Sequence, residues 1–378
     1  MSMRLLIECA RARPDDGAIR RGAAAVDDWD RLLEQADHHG MGPLLCWCLE
    51  RCPDVVPAAI FGRLRDRLHA GAANSLKLAA ELGRLVALFD QAGIEVVPFK
   101  GPAIAWSLYE SPALRQMSDL DLLVRPCDRA RVLDLLVLAG YRLPQSPIDF
   151  RFFQPYRQME LVSGSTGMAV DLHWSLSPPH FCEEPDLDGV WKRLMPVEVA
   201  GRAVQTLGNE DLLTFLCIHG AKHVWCSLRW LADVACLIDR SAIDWDGLIA
   251  RARARRVLRM VFAGLLLAAD LLDASVPAGV VAEARALPAA ARIAARAQRR
   301  AVADMPAGTT MREELGVQLA LIERMRDKLG YCLGRFNPTV GDYESCRLPR
   351  PLFPVYYALR PLRLMAKYSG LAARRIFS

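Results

Sequence analysis

A helical apolar period ends at Gly93 and a β-branched run begins at once. That change limits the fold more than any other feature of the 378-residue chain. From about Ala58 to Ala92, leucines recur at helical spacing, at Leu64, Leu68, Leu76, Leu78, Leu82, Leu85 and Leu88. After the Gly93 stop, Ile94-Glu95-Val96-Val97-Pro98-Phe99 reads as a strand. Strands and helices then alternate up to residue 206. A helix from Pro102 to Tyr109 carries proline in its first turn, a strand covers Leu120 to Val124, and a helix runs from Asp128 to Ala139. Tyr156–Val162 and Met168–Trp174 form a strand pair, and 197–199 with 203–206 a hairpin. Helical periodicity returns at Asn209, an expected N-cap, in segments 209–224, 228–240, 244–272, 277–302 and 310–330. A further helix opens at Asp28-Trp29-Asp30. The expected architecture is α+β: an N-terminal helical region (1–92), a small mixed-sheet core (93–207), a C-terminal helical domain (208–335) and a basic tail (336–378).

At 52% hydrophobic residues the chain is too apolar for a disordered protein. Its formal charge of +5 is local. Residues 345–378 hold seven Lys or Arg and no Asp or Glu, whereas the rest carries 41 basic against 43 acidic groups. A nucleic-acid partner recognised through overall charge is therefore disfavoured. The tail itself reads as a solvated arm or a docked helix in preference to a membrane-surface contact. The chain's eleven cysteines sit mainly in apolar stretches, as reduced, buried thiols do. Cys46, Cys48 and Cys52 lack a second pair at zinc spacing. Met1–Ala10 shows no secretory pattern, and the most apolar run, Val261–Val276, is broken by Asp270 and Asp273. A cytoplasmic location is expected.

The chemistry concentrates in three places. Asp119 and Asp121 open an apolar strand one residue apart, so both carboxylates point to one face. Asp171 sits mid-strand in Ala169-Val170-Asp171-Leu172-His173-Trp174, where Asp is disfavoured. Like charges this close persist when a cation neutralises them, and oxygen donors suit Mg²⁺ or Mn²⁺. Gly101, at a strand-to-helix turn, lets backbone N–H groups approach a phosphate, and Lys100 and Arg115 are candidate charges for a triphosphate.

These motifs in this order resemble the polymerase-beta-type nucleotidyltransferase superfamily. Within it, Lys100-Gly101, Tyr109-x-x-Pro112-x-x-Arg115, Asp119-x-Asp121-Leu-Leu-Val and Asp171-Leu172-His173-Trp174 look like the bacterial family of uncharacterised nucleotidyltransferases. The block His219, Lys222-His223, Trp225, Leu228-Arg229-Trp230-Leu231-x-Asp233 extends the resemblance, which covers about residues 75–250. It implies transfer of a nucleoside monophosphate from a nucleoside triphosphate to an acceptor hydroxyl on a small molecule, sugar, peptide, protein or RNA. It also implies Asp119, Asp121 and Asp171 as catalytic metal ligands, with Lys100, Gly101 and Arg115 on the nucleotide. Where the superfamily has Gly-Ser, this chain has Gly101-Pro102, and seventeen residues separate Gly101 from Asp119. That departure leaves open a non-catalytic nucleotide-binding or adaptor protein on the same scaffold. Lys222, Arg229 and Asp233 are expected to tie the 209–240 helices to the core.

Overall fold

The computed structural model describes residues 2–143, 157–177, 181–182, 186–302 and 311–365. Helices occupy the chain up to Gln91, the last of them spanning Ala58–Gln91. Its buried stripe runs through Leu64, Leu78, Leu82, Leu85 and Phe89. Leu76 falls off that stripe and stands exposed, because it precedes Leu78 by two residues, about 200° around the helix.

Seven strands follow among the described residues: β1 (Val96–Pro98), β2 (Asp119–Val124), β3 (Tyr141–Arg142), β4 (Gln158–Ser163), β5 (Ala169–His173), β6 (Met195–Val199) and β7 (Arg202–Thr206). The first five form one sheet in the order β1-β2-β5-β4-β3, and β6 and β7 form a separate hairpin. Among the described strands only β2 and β5 pair in parallel. Tyr156, the first residue of an expected strand, lies outside the described residues.

Alternation along β2 and β5 separates two faces. Leu120, Leu122, Val124, Val170 and Leu172 pack into an apolar cluster with Leu78, Leu82, Leu85 and Phe89 of the long helix and with Val132 and Leu136 of the helix Arg129–Leu138. The opposite parity carries Asp119, Asp121, Leu123, Asp171 and His173. On that side Val97, Phe99 and Leu123 join a larger cluster built from N-terminal helices and from the helices after residue 208. The sheet is thus dry on one face, and on the other its polar strand ends meet the helix Asn209–Lys222.

The helices after the sheet are shorter than their periodicity indicates. The 244–272 segment is two helices, Trp245–Ala254 and Leu258–Leu272, because Arg256 takes a left-handed φ of 57°. The 277–302 segment breaks ahead of Pro288, and the 310–330 segment breaks between Leu321 and Met325. Asn209 is not an N-cap: Gly208 holds that position, and the Asn209 amide donates to the Ala242 carbonyl at 3.1 Å.

After Lys222 the chain turns sharply. Val224 and Trp225 both have left-handed φ values, 55° and 53°. The turn drives the Trp225 indole between two helices. A Cβ on Gly220 would meet its ring at 2.2 Å, and one on Gly264 would meet it at 2.9 Å. Only glycine at both places admits the ring.

Candidate active site

Parallel pairing of β2 with β5 sets Asp121 directly opposite Asp171, and His173 follows on the same face two residues later. One ligand atom from each of Asp121, Asp171 and His173 falls within a 4.8 Å span, the single such cluster of metal-ligating groups among the described residues. Asp119 opens β2 on the same face and lines the adjoining cleft. The sequence grouped three aspartates, whereas the structure brings His173 into the tightest cluster and sets Asp119 at its rim.

Lys100 reaches this cluster from the turn after β1. Its ammonium lies 2.6 Å from Asp121 Oδ1, and His173 Nε2 lies 3.1 Å from the same oxygen. The turn depends on Gly101, whose φ is +51° and whose added Cβ would meet the Asp119 carbonyl oxygen at 3.0 Å. That close approach presses the turn against β2 and carries Lys100 to Asp121. Pro102 then starts the helix Pro102–Leu108, where its fixed φ suits the first position.

The charges are strongly coupled. Burial works against ionised Asp121, but the Lys100 ammonium and the His173 ring outweigh it and hold the carboxyl well below its usual range. Asp171 moves the other way. Its burial raises it, and repulsion from Asp121 and Asp119 adds to that against the pull of His173 and Lys100. A divalent cation fits this arrangement, since carboxylate oxygens and an imidazole converge and the repulsion on Asp171 is the kind such an ion relieves.

The cluster opens into a cleft of about 280 Å³. Lys100, Asp119, Asp171 and His173 form its floor. Arg157, Gln158, Ser175 and Ser177 line one part, and Phe215, Ile218, His219, Lys222 and His223 of the Asn209–Lys222 helix and its end form the far wall. An aromatic layer backs that wall. Phe99 meets His173 and Phe215 edge-on, each at 5.0 Å between centroids, and Trp230 packs on His219 and His223 at 5.1 and 5.0 Å. Burial, reinforced by Lys222 and Lys100, lowers His223 to about 4, and burial keeps His219 far below its ordinary value. Both rings are neutral at pH 7. Burial and Lys100 also lower Lys222, which forms no ion pair among the described residues.

Arg115 lies elsewhere. Its Nε and Nη2 each donate to Asp233 at 2.9 Å, and the Tyr109 hydroxyl donates to the same carboxylate at 2.8 Å. All three side chains are buried, and Arg115 does not line the cleft. The motif residues Tyr109 and Arg115 therefore form a brace to the helix Leu228–Arg240. Arg229, on the same helix, donates from Nη1 to the Gln116 carbonyl at 2.8 Å. The sequence order held signals for His173, which shares strand parity with Asp171, and for Lys222, which sits between two histidines. It held none for Ser175, Ser177 or Gln158.

Comparison with known proteins follows from this geometry. Residues 26–273 match the model of the uncharacterised nucleotidyltransferase family. No curated protein matches the chain. Among solved structures, the crystal structure of ANT(2")-Ia in complex with adenylyl-2"-tobramycin aligns with 47% of this chain and 97% of its own, at 15% identity and a TM-score of 0.30. The solution structure of the antibiotic-resistance factor ANT(2'')-Ia aligns with 60% and 98%, at 14% identity and a TM-score of 0.30. A superposition that limited carries no weight for the fold or site of this chain. No helix among the described residues is long and apolar enough to cross a membrane. The family match spans well over half the sequence and takes in every residue lining the cleft, so the chain belongs to the uncharacterised nucleotidyltransferase family, a family of transferases.

Proposed function

We propose that this protein transfers a nucleoside monophosphate from a nucleoside triphosphate to an acceptor hydroxyl. The observation that carries the reading is the convergence of Asp121, Asp171 and His173, of which Asp171 and His173 line the cleft together with Asp119 and Lys100 while Asp121 lies buried just beneath. Asp119, Asp121 and Asp171, with His173, would hold Mg²⁺ or Mn²⁺. Such an ion, when bound, neutralises charge on the reacting phosphate.

The side chains divide the remaining work. Lys100 holds Asp121 ionised and presents its ammonium to the polyphosphate. Lys222, across the cleft and without a counter-ion among the described residues, takes the phosphate-binding role that Arg115 cannot serve from its brace. Asp171, with a raised proton affinity, accepts the proton of the attacking hydroxyl. The neutral His219–His223 wall and its aromatic backing exclude bulk water from one side. The acceptor oxygen attacks the α-phosphorus, the bond to the bridging oxygen breaks, and pyrophosphate leaves.

The test is label transfer from α-labelled nucleoside triphosphates with Mg²⁺ or Mn²⁺, scored together with pyrophosphate release. The expected result is transfer that Asp121→Asn and Asp171→Asn each abolish. Transfer that survives both substitutions would refute the reading. Tight triphosphate binding with no pyrophosphate release from any acceptor would favour the adaptor protein, to which the Gly101-Pro102 turn and the Lys100–Asp121 ion pair lend some support.

A further inference from the structure

One segment of the molecule takes no part in the cleft. The helix Met325–Gly334 rests on the main core through Tyr331, and the elements after it add a small core of their own, Phe353 and Tyr356, onto which Tyr343, Leu348 and Leu359 pack; together they form an annex. Arg360 and Arg363 fold inward onto Asp342, at 3.0 and 2.6 Å, and Arg360 also donates to the Arg335 carbonyl. The stretch that carries Arg360 and Arg363 is therefore docked on this annex.

Its outer surface is unlike the rest of the protein. Of the twelve large apolar side chains exposed among the described residues, nine lie between 325 and 365, so the apolar exposure is concentrated here. Met325, Leu329, Leu333 and Phe336 follow one another at intervals of four, four and three, which aligns them along one face of a helix. The first three are 75%, 62% and 58% exposed. Apolar exposure concentrated in one stretch, with a stripe along one helix, marks a surface that meets something.

Charge says what it meets. Residues 324–378 carry eleven Lys or Arg against three Asp or Glu, a net +8, whereas residues 1–323 carry 37 against 40, a net −3. Asp342 is buried beneath Arg360 and Arg363, and with those three set aside the stretch still carries nine basic against two acidic groups. Arg326, Arg347 and Arg350 stand exposed among the apolar side chains. Apolar side chains interleaved with cations match acyl chains beneath anionic headgroups.

We infer that the annex of residues 324–365 is a peripheral docking surface for an anionic lipid bilayer, with the apolar stripe of the 325–334 helix inserted at headgroup depth. This is independent of the reaction proposed above. The full chain would be pelleted with vesicles of phosphatidylcholine alone or mixed with phosphatidylglycerol. Pelleting is expected with the anionic vesicles, weaker as salt is raised and roughly tenfold weaker with neutral ones. Leu329→Glu with Leu333→Glu should weaken it by roughly tenfold while Tm stays unchanged, because both side chains are already exposed. Absence of pelleting, equal pelleting with both vesicles, or retention in the double variant would overturn the proposal. So would a vesicle-free dimer that the double variant abolishes in a protein that does not pellet, since the stripe would then cover a second copy.

Discussion

Two aspartates in this protein are buried against cations, and they behave as opposites. Asp233 is closed. Both its oxygens are taken by one arginine in a two-pronged pair, and Tyr109 completes the set. Asp121 is open. A single oxygen is shared by Lys100 and His173, and on its cleft side stand two further carboxylates. A closed pair spends its charge on joining β-sheet to helix. An open one, though itself buried, keeps charge imbalance next to cleft-lining carboxylates, Asp119 and Asp171, where a ligand can correct it. The difference teaches which buried ion pair is architecture and which is equipment, although motif order alone presents both alike.

Substitution separates the two most sharply. Asp121→Asn should lower transfer by roughly a thousandfold or more and cost less stability than the loss of Asp233, since Lys100 keeps partial access to the cleft. Asp233→Asn should instead destabilise by about 3–5 kcal/mol, measured by urea unfolding, because Arg115 is left buried and unpaired. Equal loss of stability in both variants would erase the contrast. Gly101→Ala comes next. Its left-handed φ and the 3.0 Å approach to the Asp119 carbonyl should cost about 1–2 kcal/mol and displace Lys100, lowering transfer as well. Tyr109→Phe removes one bond from the closed site while leaving the arginine in place, and should cost about 1 kcal/mol with transfer intact.

The smallest expected effect is in pH. His223 is lowered from 6.5 to about 4 in the folded protein, so between those values the unfolded chain binds the proton more readily. Stability therefore falls as pH drops from 6.5 toward 4, and no further contribution from this ring is lost below that. In His223→Gln the slope of Tm against pH over this interval should be shallower. A slope identical to that of the parent would assign the effect to other groups.

Much of this was legible in the sequence where the signal is local. The parity of Asp119 and Asp121, the Gly93 stop and the strand residues flanking Asp171 all follow from chain geometry over a few residues. The partner of Arg115 did not show, because Asp233 is 118 residues away and nothing near Arg115 distinguishes a phosphate ligand from a brace. The breaks in the C-terminal helices were equally hidden. Arg256 adopts a left-handed conformation that its side chain does not favour and that tertiary packing imposes. The annex stripe was missed for another reason: leucine and methionine at helical spacing ordinarily signal core, and only solvent exposure separates the two uses.

The Trp225 wedge has a consequence for how this sequence can change over generations. Gly220 lies on the helix that presents His219 and Lys222 to the cleft, while Gly264 lies on its neighbour, and the same indole touches both. None of the three positions can drift alone. A bulkier residue at either glycine forces the indole out, and a smaller residue at 225 leaves a hole between two helices. Descendants of this chain should therefore carry the glycine-tryptophan-glycine set whole or replace it as a unit, and lineages that replace it will have rebuilt the wall against which the acceptor is measured.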